Sequence, residues 1–172
     1  MLYLLDSNTL ITANNTYYPI DTVPEFWEWV EHQGNENRIK LPIEMIEEIT
    51  VGKKEDRLTM WIKSTNINNA LLLSEEAEQP IVQKVVNEGY ASDLSDYELE
   101  AIGRDPFLIS YALGNPNRCI VTVETSSPKK QRQNRKVPDV CSSLGIACCD
   151  PFKLYRDLGF KTSWKSQLPS RV

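Results

Sequence analysis

Two apolar runs that each stop on an acid constrain this chain more than any other feature. LYLL at residues 2–5 runs into Asp6, and CIVTV at residues 119–123 runs into Glu124. A short unbroken apolar run bounded by polar residues reads as a strand buried on both faces, and such strands belong to parallel sheets covered by helices. A carboxylate at the end of a buried strand is costly to desolvate unless a neighbouring group requires its charge.

The sequence between these runs supplies the helices. Residues 23–30 open a helix with Phe26, Trp27 and Val30 facing inward, and Gly34-Asn35 ends it. Ile39 to Leu41 is a short strand, and Pro42 starts a helix over 43–51 that Gly52 stops. Further helices are predicted over 57–64, over 75–88 with Pro80 as a local defect, over 95–102, from Pro106 to about 113, over 137–145 and over 151–158. NINNALLL at 66–73 reads as strand or loop, and residues 146–148 as a last short strand. Strands alternating with helices predict one three-layer α/β/α domain with a mostly parallel central sheet. It spans residues 1–160, with residues 161–172 as a loose tail.

Composition removes several kinds of chemistry. The single histidine, His32, follows an aromatic-rich helix and reads as a partly exposed surface residue; Ser-His-Asp, Cys-His and multi-histidine metal sites are thereby disfavoured. Cys119, Cys141, Cys148 and Cys149 contain no CxxC spacing and read as buried reduced thiols rather than zinc ligands. No apolar run approaches the ~20 residues of a membrane span, and residues 2–5 are too short for an export signal, so the expected location is the cytoplasm, away from membranes. A net charge of −5 argues against general nucleic-acid affinity, yet Lys129, Lys130, Arg132, Arg135 and Lys136 fall within one acid-free stretch, KKQRQNRK.

In open α/β sheets ligands bind outside the carboxyl ends of the strands, which is where Asp6 and Glu124 are expected. Glu48, in the helix PIEMIEEI, and Asp105, before PFLISYAL, sit near the ends of helices that should pack on this sheet. Four gathered carboxylates repel one another. Mg²⁺ or Mn²⁺ would resolve the repulsion, because both take oxygen ligands and retain waters. The chemistry such a centre favours is phosphodiester hydrolysis, which needs no histidine.

These segments resemble the PIN-domain nucleases, a family widespread among VapC-type bacterial toxins, and the match covers nearly the whole chain. LLDSNTLI resembles the family's opening motif, and MIEEI the second, in which a glutamate directly precedes an aliphatic residue and so selects Glu48 over Glu44 and Glu47. RDPFLISYAL resembles the third, with Arg104 where a small residue is usual, and IVTVE the fourth, with Glu124 where many members carry Asp. Tyr17-Tyr18, PEFWEWV, RLTMW and KVPDVC resemble a longer PIN-like subgroup of uncharacterised bacterial proteins. The resemblance implies an acidic Mg²⁺ or Mn²⁺ site built from Asp6, Glu48, Asp105 and Glu124, RNA cleavage, a homodimer, and a cognate antitoxin as partner.

Each residue also has a plainer reading. Asp6 and Asp105 suit helix N-caps, and an isolated helical glutamate such as Glu48 is ordinarily a solvated face. Asp139 competes with Glu124 as an acidic ligand, or caps the helix beginning nearby. Asn8 orients Asp6 or a metal-bound water, or serves as a cap. Thr122 bonds a ligating carboxylate or, more simply, fills a strand position. The basic stretch 129–136 either hangs over the site to contact RNA phosphates or is a solvated loop. Tyr17 and Tyr18 stack on unpaired bases or, more simply, pack, while Trp27, Trp29 and Trp61 belong to the core or a dimer surface. Two other functions compete with a ribonuclease: a non-catalytic RNA-binding or scaffold domain, and a haloacid-dehalogenase phosphatase. The latter needs an Asp where Asn8 stands.

Overall fold

A computed structural model describes residues 1–51 and 56–167. Its centre is a four-stranded, wholly parallel sheet of β1 (Leu2–Leu5), β2 (Ile39–Lys40), β3 (Arg118–Val121) and β4 (Ala147–Cys149), in the order β2-β1-β3-β4. Tyr3 pairs with Ile39 on one side and Cys119 on the other, and Cys119 in turn pairs with Ala147. Leu4, Leu5, Ile120 and Val121 are wholly buried, as expected for strands covered on both faces.

Ten α-helices surround the sheet among the described residues, with short 3₁₀ turns at Arg132–Asn134 and Trp164–Gln167. They are α1 (Ser7–Thr12), α2 (Pro24–Asn35), α3 (Ile43–Thr50), α4 (Arg57–Lys63), α5 (Thr65–Leu71), α6 (Gln79–Lys84), α7 (Asp96–Ile102), α8 (Asp105–Ser110), α9 (Val137–Ser143) and α10 (Pro151–Asp157). Both α1 and α6 run on into π-helical turns, Ala13–Tyr17 and Val85–Tyr90. The chain leaves β1 towards β2 but leaves β3 towards β4, the opposite way. Right-handed crossovers in opposite directions put their helices on opposite faces. The three-layer α/β/α architecture follows, and a crevice opens where the two central strands diverge.

Aromatic residues fill one layer. Phe26, Trp27 and Trp29 of α2 are buried, and Tyr18 stacks on Phe26 at 4.5 Å between centroids, which gives Tyr18 the packing role. Trp27 meets Trp61 edge-on at 4.8 Å and donates to the Tyr18 carbonyl, so these tryptophans belong to the core. The four cysteines are free, with the Cys119 and Cys149 sulfurs 3.7 Å apart across β3 and β4. No helix among the described residues is long and apolar enough to cross a membrane.

Three expectations need correction. NINNALLL is largely helix α5, because Ile67, Ala70 and Leu71 make a helical apolar face against the core; its strand character is confined to an isolated parallel bridge between Leu72 and Leu41, just beyond β2. The predicted helix over 75–88 begins instead at Gln79, where Pro80 sits in the first turn that tolerates it, and ends as a π-turn at Tyr90. The tail is not loose up to residue 167: Trp164 is buried, stacks on His32 at 4.9 Å, and donates to the Glu25 carbonyl at 2.9 Å. Gly52 and residues 168–172 lie outside the described residues.

Candidate metal centre

Asp6 ends β1 at the crevice and is almost completely buried. It is the N-cap of α1, accepting from the Asn8 amide at 3.3 Å, so the capping reading holds in part. Its other oxygen accepts from the Thr122 hydroxyl at 2.7 Å, and Thr122 in turn accepts the Glu124 amide at 3.1 Å. Thr122 is therefore no mere strand filler, because its hydroxyl ties the ends of β1 and β3 together. The Asn8 side chain is exposed, and only its backbone serves Asp6.

Ser7, overlooked as a site residue in the sequence, is buried between two of the acids. Its hydroxyl lies 2.6 Å from Glu48 and 3.3 Å from Asp6, and its one proton goes to the nearer Glu48. This contact turns Glu48 out of the solvated-face role of its neighbours and towards Asp6. Glu47 pairs instead with Arg104, which also donates to the Glu44 carbonyl and locks α8 onto α3. Gly103, at φ +54°, makes the turn between α7 and α8 that a side chain would strain. Arg104 holds the cap position and Asp105 is the first helical residue, so Asp105 is not the N-cap.

The electrostatics bind the four acids into one group. Burial drives the Asp105 carboxyl up to about 8; the charges of Asp6, Glu124 and Glu48 push the same way, and Lys136 pulls against them. Burial also raises Asp6, opposed by its bonds to Thr122 and Asn8 and reinforced by Glu48 and Glu124. Asp105 receives no hydrogen bond from the described residues. Glu124 accepts from Lys136 and, at 2.8 Å, from the Val137 amide at the start of α9.

Asp139 takes no part in this group. It accepts from Ser126 and, at 2.7 Å, from the Ser127 amide, pinning the turn after β3, and those bonds hold it below the usual carboxylate range. The basic stretch is divided. Arg132, at φ +54°, grips Glu98 and Asp93, and that grip pulls Glu98 down to about 2. Arg135 donates to the Gly89 and Asp139 carbonyls. Lys136 supplies the counter-charge at Glu124, and Lys129 and Lys130 remain exposed. Beside Glu124 a cleft of about 470 Å³ opens, with Ser126, Cys149, Asp150 and Lys153 on its walls.

The donor set suits a hard divalent ion: carboxylate oxygens only, partly buried, with one lysine against four acids. No group of three His, Cys, Asp or Glu among the described residues is gathered tightly enough to hold an ion in this side-chain arrangement. In this arrangement Glu48 accepts from Ser7 and Glu124 accepts from Lys136.

No curated protein and no solved structure matches the chain. Residues 3–162 match a family described as a domain of unknown function, DUF4411, and the chain belongs to that family.

Proposed function

We propose that this protein is a PIN-type endoribonuclease that hydrolyses RNA phosphodiester bonds with Mg²⁺ or Mn²⁺ held by Asp6, Glu48, Asp105 and Glu124. One observation carries the reading: four carboxylates, Asp6 buried and the other three half-buried, whose charges act on one another at the switch point of a parallel sheet, with Asp105 lacking any hydrogen-bond donor among the described residues. A divalent ion bound there supplies Lewis-acid stabilisation of the phosphoryl oxygens and acidifies the attacking water. The chain's own residues fix the rest. Thr122 and the Asn8 amide hold Asp6, and Ser7 steers Glu48. Were Glu124 to hold the ion, its partner Lys136 would be free beside it for a phosphate oxygen, and the exposed Lys129 and Lys130 would be available to phosphates further along the strand.

The resemblance to VapC-type toxins extends the proposal to a toxin that acts in the cytoplasm, works as a homodimer and is silenced by a cognate antitoxin. The test is cleavage of a mixed RNA pool with Mg²⁺ or Mn²⁺ by the wild type and by Asp6→Asn. Metal-dependent cutting is expected from the wild type only. Equal background from both, with no metal binding by calorimetry, would sink the enzyme. A second reading, a non-catalytic RNA-binding or scaffold domain, is favoured by one contact: the Lys136–Glu124 ion pair already neutralises one of the four acids without any metal.

A further inference from the structure

Cys119 and Cys149 stand on neighbouring strands with their sulfurs 3.7 Å apart. The register explains the contact. Cys119 of β3 pairs with Ala147 of β4, and side chains alternate along a strand, so Cys149, two residues past Ala147, faces the same side of the sheet as Cys119. Cys148 points to the opposite side, where Cys141 lies. Core packing accounts for Cys119, which is buried, as it does for most free cysteines. It does not account for Cys149, which is half-buried on the wall of the cleft of about 470 Å³ beside Glu124.

One thiol of the pair is thus open to small molecules in the cleft, and the other stands directly behind it. Hydrogen bonding between the sulfurs lowers the Cys119 thiol and raises that of Cys149, so the two share a proton, and the Lys153 ammonium on the cleft wall favours negative charge on either. Thiols that sense peroxides are accessible and stand next to a second, resolving thiol. A disulfide needs its sulfurs at about 2.05 Å, so this pair must close by about 1.7 Å. That movement falls on β4, an edge strand of three residues whose one neighbour in the sheet is β3.

We propose that Cys149 and Cys119 form a peroxide-sensitive dithiol, with Cys149 as the thiol oxidised first and Cys119 as the one that resolves it. Hydrogen peroxide is the oxidant. Its O–O bond breaks as the Cys149 sulfur takes one oxygen to become a sulfenic acid, and the other oxygen leaves as water with the Cys149 proton. The Cys119 sulfur then forms the S–S bond, the S–O bond breaks, and the hydroxyl departs with the Cys119 proton as a second water. The two thiols lose two electrons, and the peroxide gains them. The cross-link would pin β4 to β3 at a point that bears on the acidic centre: the Cys149 carbonyl accepts from the Thr122 amide at 3.2 Å, and the Thr122 hydroxyl holds Asp6. The inference does not depend on what that centre does.

The test treats the reduced full chain with one equivalent of hydrogen peroxide, counts free thiols in denaturant and maps linked peptides by mass spectrometry. The wild type should lose two of its four thiols, give a Cys119–Cys149 cross-link, and regain all four with a thiol reductant. Cys149→Ser should form no disulfide, whereas Cys148→Ser should oxidise as the wild type does. Cys119→Ala removes only the resolving thiol and should leave Cys149 as a sulfenic acid that dimedone traps. Four thiols retained by the wild type, oxidation of Cys149 to a sulfinic acid without a cross-link, or a cross-link through Cys148 would each overturn the pairing. Absence of the dimedone adduct in Cys119→Ala would overturn the role given to Cys149.

Discussion

Asp105→Asn should make the metal-free protein more stable at neutral pH while removing one ligand of the proposed metal centre. The unfolded chain holds this carboxyl near its ordinary 3.8, whereas burial and three neighbouring acids lift it to about 8 in the fold. The folded state therefore binds the proton more tightly, and its stability falls as pH rises between those two values. At 1.36 kcal/mol per pH unit, the loss between pH 5 and pH 8 is about 3–4 kcal/mol. Asn cannot ionise, so Asp105→Asn removes this slope and retains most of that stability at pH 8. The assay is urea unfolding in chelator at pH 5, 6, 7 and 8 for both proteins. For a chain of this size, each kcal/mol also moves the melting point by about 2–4 °C. With Mn²⁺ present the wild-type slope should flatten, because the ion favours the ionised carboxyl. A wild-type stability in chelator that is level or rises from pH 5 to pH 8 would refute the claim that the four acids repel one another in a desolvated group.

Thr122→Val strips Asp6 of its shortest hydrogen bond and leaves the Glu124 amide without an acceptor; unfolding stability should fall by about 1–3 kcal/mol, measured in urea. Replacing Lys129 and Lys130 together by Ala should weaken RNA binding and reduce its log–log salt slope by about 1–2, read by fluorescence anisotropy across a salt series with Asp6→Asn as the binding scaffold. Arg132→Ala should leave that slope unchanged and instead free Glu98, because Arg132 is already occupied by Glu98 and Asp93. Trp164→Ala removes the stack on His32 and the bond to the Glu25 carbonyl; the melting point should drop by several degrees, whereas an unaltered melting curve would mean the tail does not hold α2.

The local pattern of the chain determined the strands, the α/β class and where two acids stand. LYLL forms β1 and CIV of CIVTV lies in β3, as their unbroken apolar character leads one to expect, and a residue just past a parallel strand stands at the carboxyl edge. Asp6 was thus placed by its own neighbours. Long-range contacts decided the remainder. NINNALLL reads locally as strand or loop, and packing against α2 selected a helix instead. Arg132 and Arg135 read as free cations until Glu98, Asp93 and the Gly89 carbonyl, more than thirty residues away in the chain, took them up. The sequence marks Thr122 as a partner for a ligating carboxylate but passes over Ser7, because a hydroxyl acquires its role only from the groups the fold brings beside it. That is why the sequence could place the charges of this centre, while the fold alone could choose the groups that orient them: charge pattern is written locally, and hydrogen-bond partners are brought together by the closing of the sheet.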